Sequence, residues 1–336
     1  TCALPIYINE RINYLFNSSI NGIEESDLIL LIGTNPRFEA TILNARIRKS
    51  FVNNSTKIAS LNDVGDLTYP YESLDGKTKT IFDIFEGKNE FSKKILDSKK
   101  PLIILGESFF KLQSAEFLFN LIKEFLKKND KINNEWNSLN ILATDASTVG
   151  SLDLKIISDK KNIFNNLQNN NFEIIYLLGQ DNLDFKKKDE FIIYQGSHGD
   201  KGAEMADIIL PGAAYTEQNG HFTNLEGKIQ KAFKASYPPG EAKEDWQIIN
   251  ELAEFMNNRK LFNDRDELES SMFNYLNLQK EKQVDDQNNS SKEFQSENLT
   301  IKVKDYYFSN VIARSSKTMV ECNNSKLNLK STGTEG

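Results

Sequence analysis

Residues 206–230, reading ADIILPGAAYTEQNGHFTNLEGKIQ, decide the fold of this chain. The segment opens with the apolar run Ile208, Ile209 and Leu210, which Pro211 ends, as expected for a buried parallel strand. A long stretch rich in Gly, Thr and Asn follows, and its glycines allow the backbone to approach a ligand or a neighbouring segment closely. A strand that ends in such a loop is typical of an open α/β sheet.

Short apolar runs alternate with helical patterns along most of the chain. We predict strands at residues 28–32, 57–61, 102–105, 174–178, 191–194 and 208–210. We predict helices at residues 39–50 and 114–128, and a third that ends near Phe255. Runs that are apolar throughout indicate strands covered on both faces. The predicted fold class is therefore α/β, with doubly wound parallel sheets flanked by helices.

The same patterns predict how the chain is divided. We expect a non-native or disordered N-terminus at residues 1–10, a first α/β unit at residues 11–150 and a second at residues 151–278. Residues 279–298 are polar and poor in apolar side chains, which predicts a flexible linker. We expect residues 299–336 to form a short C-terminal tail that packs back on the domain.

The composition argues against several classes of function. Acidic residues number 48 against 41 basic ones, for a formal charge of -7, so we expect no nucleic-acid partner. No run approaches the roughly 20 apolar residues of a membrane span, so we expect no direct membrane insertion. A [4Fe–4S] cluster as a rule takes four thiolates, and the chain has only Cys2 and Cys322. His198 and His221 lack ligand-spaced partners, so we predict no metal site.

Three blocks of sequence carry a resemblance to a known family. They are residues 27–49 (DLILLIGTNPRFEATILNARIRK), residues 191–230 with the words IIYQGSHGDKGAEMADIILP, and residues 238–252 (PPGEAKEDWQIINEL), with a weaker echo at residues 299–321. In order and spacing they resemble the distal domain of the molybdopterin oxidoreductase superfamily. Within it they resemble the large (75-kDa-type) iron–sulfur subunits of respiratory complex I. We expect the resemblance to begin near residues 11–17 (RINYLFN) and not to include residues 1–7 (TCALPIY).

The resemblance implies a scaffold in the peripheral arm of an NADH:quinone oxidoreductase. The iron–sulfur clusters of such subunits are bound by an N-terminal region, and the molybdopterin has been lost, so we expect no cofactor and no catalytic residue in this chain. The implied partners are other peripheral-arm subunits, including the flavin-containing NADH-binding subunit. The implied location is the cytoplasmic side of a bacterial inner membrane or the matrix side of the mitochondrial inner membrane.

An alternative from the same superfamily is a genuine molybdopterin-dependent oxidoreductase, similar to formate dehydrogenases or nitrate reductases. Such an enzyme needs a molybdenum-ligating Ser, Cys or selenocysteine, which in that family lies upstream of the region present here. Stoichiometric molybdenum in the full-length protein would favour this alternative.

The first loop that matches the family's pterin site contains Gly33, Asn35 and Arg37, in the word GTNPR. It follows the first predicted strand, where open α/β sheets bind ligands, but it lacks the glycines of a dinucleotide fingerprint or a P-loop. In active relatives this loop contacts the guanine dinucleotide part of the cofactor. We favour a vestigial site, in which Arg37 pairs with Glu39 or a neighbouring carboxylate.

The second such loop contains Asn224, Glu226 and Lys228, in the word NLEGKIQ. In active relatives it helps to enclose the pterin. Lys228 stands where the family usually has Arg, and a lysine cannot offer the planar fork that binds a phosphate or a ring edge in two places. This difference favours the vestigial interpretation.

The strand end at residues 195–202 (QGSHGDKG) supplies the last candidate, His198. Its imidazole could carry a proton, because the unperturbed pKa of histidine lies near physiological pH. No nucleophile or base of the triad kind lies nearby in sequence, so we favour a hydrogen-bonding residue that fixes the loop. We expect Asp207, directly before the predicted strand at residues 208–210, to be a cap or a loop-positioning carboxylate.

Overall fold

The computed structural model describes residues 10–156, 163, 166, 167, 169, 171–183, 185–281, 293–303 and 305–329. Its contacts divide the chain into two compact units. The first unit takes residues from 1–157, 222–230 and 276–303, and the second takes residues from 158–221, 231–275 and 304–336. Residues 1–9 and 282–292, on which the predicted disordered N-terminus and most of the predicted linker fall, lie outside the described residues.

The first unit is built on a five-stranded parallel sheet. Its strands are β1 (Leu28–Ile32), β2 (Lys57–Leu61), β3 (Glu72–Leu74), β4 (Pro101–Gly106) and β5 (Leu139–Leu142). They lie in the order β3-β2-β1-β4-β5, and every neighbouring pair is parallel. The predictions of β1, β2 and β4 are confirmed, whereas the sequence analysis missed β3 and β5.

Strand β1 shows why an uninterrupted apolar run indicates a central strand. Side chains alternate between the two faces of a sheet, and Leu28, Leu30 and Ile32 belong to one hydrophobic cluster. Ile29 and Leu31 belong to the cluster on the other face. Because helices cover both faces, all five side chains of β1 are buried.

Six helices flank this sheet. They are α1 (Pro36–Glu39), α2 (Thr41–Asn54), α3 (Thr78–Phe85), α4 (Glu90–Asp97), α5 (Ala115–Lys128) and α6 (Thr148–Asp153). In α5 the buried side chains recur at helical spacing, with Leu118, Phe119 and Ile122 facing the core, as expected for one face of an amphipathic helix. The predicted helices at residues 39–50 and 114–128 correspond to α2 and α5, and the α/β fold class is confirmed.

The second unit contains a three-stranded parallel sheet. Its strands β6 (Ile174–Leu178), β7 (Phe191–Gly196) and β8 (Ile208–Pro211) lie in that order. A separate two-stranded sheet joins β9 (Gly220–Thr223) and β10 (Ile229–Ala232). The further helices whose bounds the structure describes are α7 (Lys201–Met205), α8 (Asp245–Asn257), α9 (Arg265–Glu281), α10 (Val311–Ser315) and α11 (Lys317–Leu329). None of the helices in the described ranges has both the length and the apolar composition to cross a membrane.

The prediction that residues 208–210 form a buried strand is wrong in one respect. The strand is present, but Ile208 and Ile209 are 45% and 55% exposed. Among the described strands β8 lies at the edge of its sheet, paired with β7 alone. An apolar run predicts that a strand can be buried on both faces, but it does not tell how many neighbours cover the strand.

Candidate functional site

Gly33 turns the chain sharply at the carboxyl end of β1. Its φ is +69°, a conformation that glycine adopts without strain. A Cβ at this position would lie 2.5 Å from the backbone nitrogen of Phe109, and a Cβ on Gly106 would lie 2.5 Å from the carbonyl oxygen of Gly33. The loops that follow β1 and β4 therefore touch backbone to backbone.

Asn35 is used to begin helix α1. Its side-chain oxygen accepts from the backbone N–H of Arg37 at 3.2 Å, and its side-chain nitrogen donates to the carbonyl oxygen of Val64 at 2.9 Å. The residue is only 6% exposed. An asparagine N-cap of this kind satisfies a backbone donor that the helix itself leaves free.

The carboxylate of Glu39 closes the same loop from within. It accepts from the hydroxyl of Thr34 and from the backbone N–H of Asn35, the latter at 2.8 Å. Burial raises the pKa of Glu39, the two hydrogen bonds oppose that rise, and the nearby Glu107 adds to it. Glu39 is therefore occupied by its own loop and does not pair with Arg37.

Arg37 pairs instead with Asp66, one of the neighbouring carboxylates that the vestigial interpretation allowed. Its Nη1 lies 2.6 Å from Asp66 Oδ2 and 2.6 Å from the Asp66 carbonyl oxygen. The two side chains are 40% and 71% exposed, so this is a solvated surface pair of small energetic value.

The second loop, residues 224–228, is also closed by its own hydrogen bonds. The side-chain oxygen of Asn224 accepts from the backbone N–H of Glu226 at 3.1 Å and from that of Lys228 at 2.9 Å. The carboxylate of Glu226 accepts from the backbone N–H of Ile20 at 2.7 Å. Lys228 is exposed, and none of the ion pairs between described residues includes it.

Arg11 fixes this loop to α6, and the sequence analysis did not single out this residue. The guanidinium forms two hydrogen bonds of 2.7 Å with Asp153 and a third, of 2.9 Å, with the carbonyl oxygen of Gly227. Tyr14 donates to the same carboxylate at 2.8 Å. Burial and this hydrogen bond raise the pKa of Tyr14. The only sequence signal is that residues 11–17 (RINYLFN) begin the family resemblance.

His198 belongs to the second unit, unlike the other six candidates, which lie in the first. Its Nδ1 lies 2.8 Å from the hydroxyl oxygen of Ser197, and both side chains are exposed. Asp207, directly before β8, accepts from the backbone N–H of Ile192 at 2.8 Å and from Lys187 Nζ at 2.6 Å, so its carboxylate ties the start of β8 to β7.

The second unit also contains a buried polar network that is not predicted from the sequence. Gln195, which is fully buried, donates from Nε2 to Asp245 Oδ1 at 2.7 Å. It also accepts from the hydroxyl of Tyr176, and Asp245 Oδ2 accepts from Gln218 at 3.2 Å. Each polar group in this network has a partner, so the network serves to hold β7 against the start of α8.

The candidate residues therefore do not form a cluster with a nucleophile, a base or a set of metal ligands. Across the described ranges, no group of three or more His, Cys, Asp or Glu side chains is arranged to hold a metal ion. Cys322, on α11, is exposed and not disulfide-bonded. The polar atoms of the two loops of the first unit are taken up mainly by hydrogen bonds within the unit.

Comparison with known proteins assigns this arrangement to a family. Residues 3–255 match the sequence pattern of the molybdopterin oxidoreductase family. The chain belongs to the molybdopterin oxidoreductase family. Residues 267–322 match a further pattern, that of the C-terminal region of the G subunit of NADH-ubiquinone oxidoreductase.

The relatives of this chain come from mitochondria and from bacteria. The chain is 38% identical, over 93% of its length, to the NADH-ubiquinone oxidoreductase 75 kDa subunit of Reclinomonas americana, and covers 47% of that protein. It is 38% identical to the mitochondrial 78 kDa subunit of Candida albicans, over 93% of the chain and 45% of the relative. It is 36% identical to the G subunit of the NADH-quinone oxidoreductase of Rickettsia bellii, over 96% of the chain and 48% of the relative. The chain thus spans about half the length of the curated relatives that it matches.

Proposed function

We propose that this chain is the distal part of the large iron–sulfur subunit of an NADH:quinone oxidoreductase and that it acts as a scaffold in the peripheral arm. The observation that carries the proposal is the succession of two family matches in one chain. The molybdopterin oxidoreductase pattern covers residues 3–255, and the C-terminal pattern of the NADH-ubiquinone oxidoreductase family follows at residues 267–322. The names of the relatives support the same enzyme.

The geometry of the two loops supports a scaffold in preference to a cofactor site. The side chains of Asn35, Asn224 and Glu226 bond within the first unit. Arg37 is neutralised by Asp66. We infer that these loops are the remnant of a pterin site, because a cofactor would have to displace hydrogen bonds that the fold already uses.

The electron transfer of the complex then belongs to other parts of it. We propose that the iron–sulfur clusters are bound in the half of the full-length subunit that this chain does not span. The proposed partners are the other peripheral-arm subunits, including the flavin-containing NADH-binding subunit. The proposed location is the cytoplasmic side of a bacterial inner membrane or the matrix side of the mitochondrial inner membrane. Residues 11–150 and 151–278 are proposed as the two α/β domains of the scaffold.

The test is metal analysis of two proteins, the 336-residue chain and the full-length subunit within its complex. We expect the chain to bind no iron and to lack visible absorbance, because two cysteines cannot supply the four thiolates that a [4Fe–4S] cluster normally takes. The full-length subunit should contain iron and no molybdenum. Stoichiometric molybdenum would overturn the proposal and favour a molybdopterin-dependent enzyme, and a brown chain would overturn the assignment of the clusters.

A further inference from the structure

Residues 293–303, which we call the strap, run along the carboxyl edge of the five-stranded sheet. The backbone N–H of Leu299 donates to the carbonyl oxygen of Gly76 at 2.7 Å, and the side chain of Asn62 donates to the Leu299 carbonyl oxygen. The backbone N–H of Lys302 donates to the hydroxyl oxygen of Ser108 at 3.0 Å. Asn62, Gly76 and Ser108 closely follow β2, β3 and β4, so the strap touches the ends of three strands.

Two apolar anchors hold the strap in place. Leu299 is 2% exposed and belongs to the main hydrophobic cluster of the unit. Phe294 packs against Phe82 and Phe117, with ring centroids 4.9 Å and 6.0 Å apart. These residues end the segment that the sequence predicts to be a flexible linker and begin the predicted tail, and within the described residues they are packed on the first unit.

Glu297 gives the strap a polar anchor at the beginning of α5. Its carboxylate accepts from the backbone N–H of Gln113 at 2.8 Å and from that of Ser114 at 3.3 Å. The side chain of Ser114 does not cap the helix itself. A carboxylate is favoured at this position because backbone N–H groups and the positive end of the helix dipole converge there. The backbone of Glu297 also pairs with Thr78, at the first residue of α3.

The strap lies at the edge where an open α/β sheet with this strand order binds its ligand. In the order β3-β2-β1-β4-β5 the chain reverses direction across the sheet between β1 and β4, and open α/β sheets bind ligands at this switch point. From β2 to β4 there are two strand spacings, about 9.5 Å, and an extended chain covers about 10 Å in the three residues from Leu299 to Lys302. The strap is therefore long enough to cross the end of β1 between its contacts with Asn62 and Ser108.

We propose that the strap is an intramolecular occupant of the β1/β4 crevice and that it closes the ligand edge of this sheet to nucleotides. In place of a ligand, the strap supplies the carboxylate of Glu297 at the N-terminus of α5, the buried side chain of Leu299 and backbone hydrogen bonds to the strand ends. The close approach of Gly33 to Phe109 leaves the loops after β1 and β4 touching. The proposal rests on the scaffold function above, because a cofactor-binding enzyme would need this edge open.

Hydrogen–deuterium exchange on the full chain tests this occupancy. The variant Leu299→Ala removes the apolar anchor, and the control Leu126→Ala removes an equally buried leucine at the far end of α5. In Leu299→Ala we expect the amides of Thr78, Gln113, Ser114 and residues 33–35 to lose at least about tenfold in protection relative to β1 and β4. In the control, protection should fall by one common factor throughout the unit.

Two results would overturn the proposal. In the first, the amides named above lose no more protection in Leu299→Ala than the amides of β1 and β4. In the second, the wild-type chain binds fluorescent mant-GDP with Kd below about 0.1 mM. If Leu299→Ala does not fold, Glu297→Ala provides the same readout, since it removes the polar anchor and leaves the buried Leu299 in place. Metal content decides the scaffold function separately, so the strap proposal and the scaffold proposal can fail independently.

Discussion

Arg11 and Asp153 lie 142 positions apart in the chain and form a two-point ion pair with both N–O distances at 2.7 Å. The Asp153 side chain is only 7% exposed and the Arg11 side chain 33%. The same guanidinium also bonds the Gly227 carbonyl oxygen at 2.9 Å. One side chain thus ties the start of the described chain to α6 and to the second candidate loop.

Replacing Arg11 by Ala should destabilise the first unit by about 2–4 kcal/mol, because it leaves a buried carboxylate without its cation. Urea unfolding measures this change. Arg37→Ala is the matched control, since its pair with Asp66 is solvated, and its urea midpoint should stay at the wild-type value. Equal midpoints for the two variants would contradict the assignment of Arg11 as the tie. Arg11→Lys should recover little, because lysine lacks the fork.

Gly33→Ala should cost about 2–4 kcal/mol of unfolding free energy, because strain at positive φ adds to a steric clash. The clash arises because the new Cβ would lie 2.5 Å from the backbone nitrogen of Phe109. Gly65 is the matched control: its φ is +77° and a Cβ there would meet nothing within 4 Å. Gly65→Ala should cost only about 1 kcal/mol. Thermal or urea unfolding distinguishes the two, and a Gly33→Ala variant as stable as Gly65→Ala would refute the close contact.

The pH dependence of stability should reveal the buried carboxyl of Glu39, whose pKa is raised by burial. Above the unfolded pKa and up to the folded one, the folded state binds more protons than the unfolded state, so stability falls as pH rises through that window. Glu39→Gln removes this contribution. The stability of wild type relative to Glu39→Gln should therefore decline as pH rises from about 4.5. A relative stability that increases over this range would mean that the pKa is lowered.

The double variant Arg37→Ala, Lys228→Ala should leave NADH:quinone turnover close to wild type in assembled complex. Only groups that interact with a reacting centre lower its barrier, and under the scaffold function the reacting centres lie elsewhere. Turnover is measured per complex and normalised by flavin content, which separates catalysis from assembly yield. A drop of about a hundredfold, equivalent to nearly 3 kcal/mol of barrier, would show that the loops still serve a cofactor.

Gly212→Ala should impair folding or assembly more than electron transfer. A Cβ there would lie 2.9 Å from Asp245 Oδ1, which already accepts from the buried Gln195. Gly22, which like Gly212 lacks a positive φ and where a Cβ would come no closer than 3.4 Å to its neighbours, provides a control for the loss of a glycine. We expect a lower yield of complex with Gly212→Ala and unchanged turnover per flavin. Normal yield with lost turnover would contradict the scaffold interpretation.

The sequence predicts well those elements whose cause is local. Strands β1, β2 and β6 begin and end at the predicted residues, because short, mainly apolar runs mark the segments that a parallel sheet can use. Burial is predicted less well, since β6 lies at the edge of its sheet and leaves Ile174 and Leu178 exposed. Strand β3 (Glu72–Leu74) is short, polar and mostly exposed, so it lacks that signal. The two candidate loops were found through family resemblance. That resemblance could not predict the hydrogen bonds that close them.

Features that depend on distant partners escaped the sequence analysis. The bonds of Arg11 reach residues 142 and 216 positions away, and no periodicity records such a contact. Residues 293–298 have the composition of a linker, yet Phe294 packs against Phe82 on α3 and Glu297 bonds to Gln113 just before α5. The exposure of β8 was missed for the same reason, since burial depends on neighbours that one segment does not specify.

The exposed strand β8 also has a consequence for the abundance of this polypeptide in the cell. Ile208 and Ile209 present about half of their surface to water on an edge strand, and such an edge is a template for pairing between copies. Under the proposed function, a copy released from the ribosome without the rest of the complex would therefore be a substrate for chaperones and proteases. Its abundance should follow the supply of the other subunits more closely than the level of its own messenger RNA.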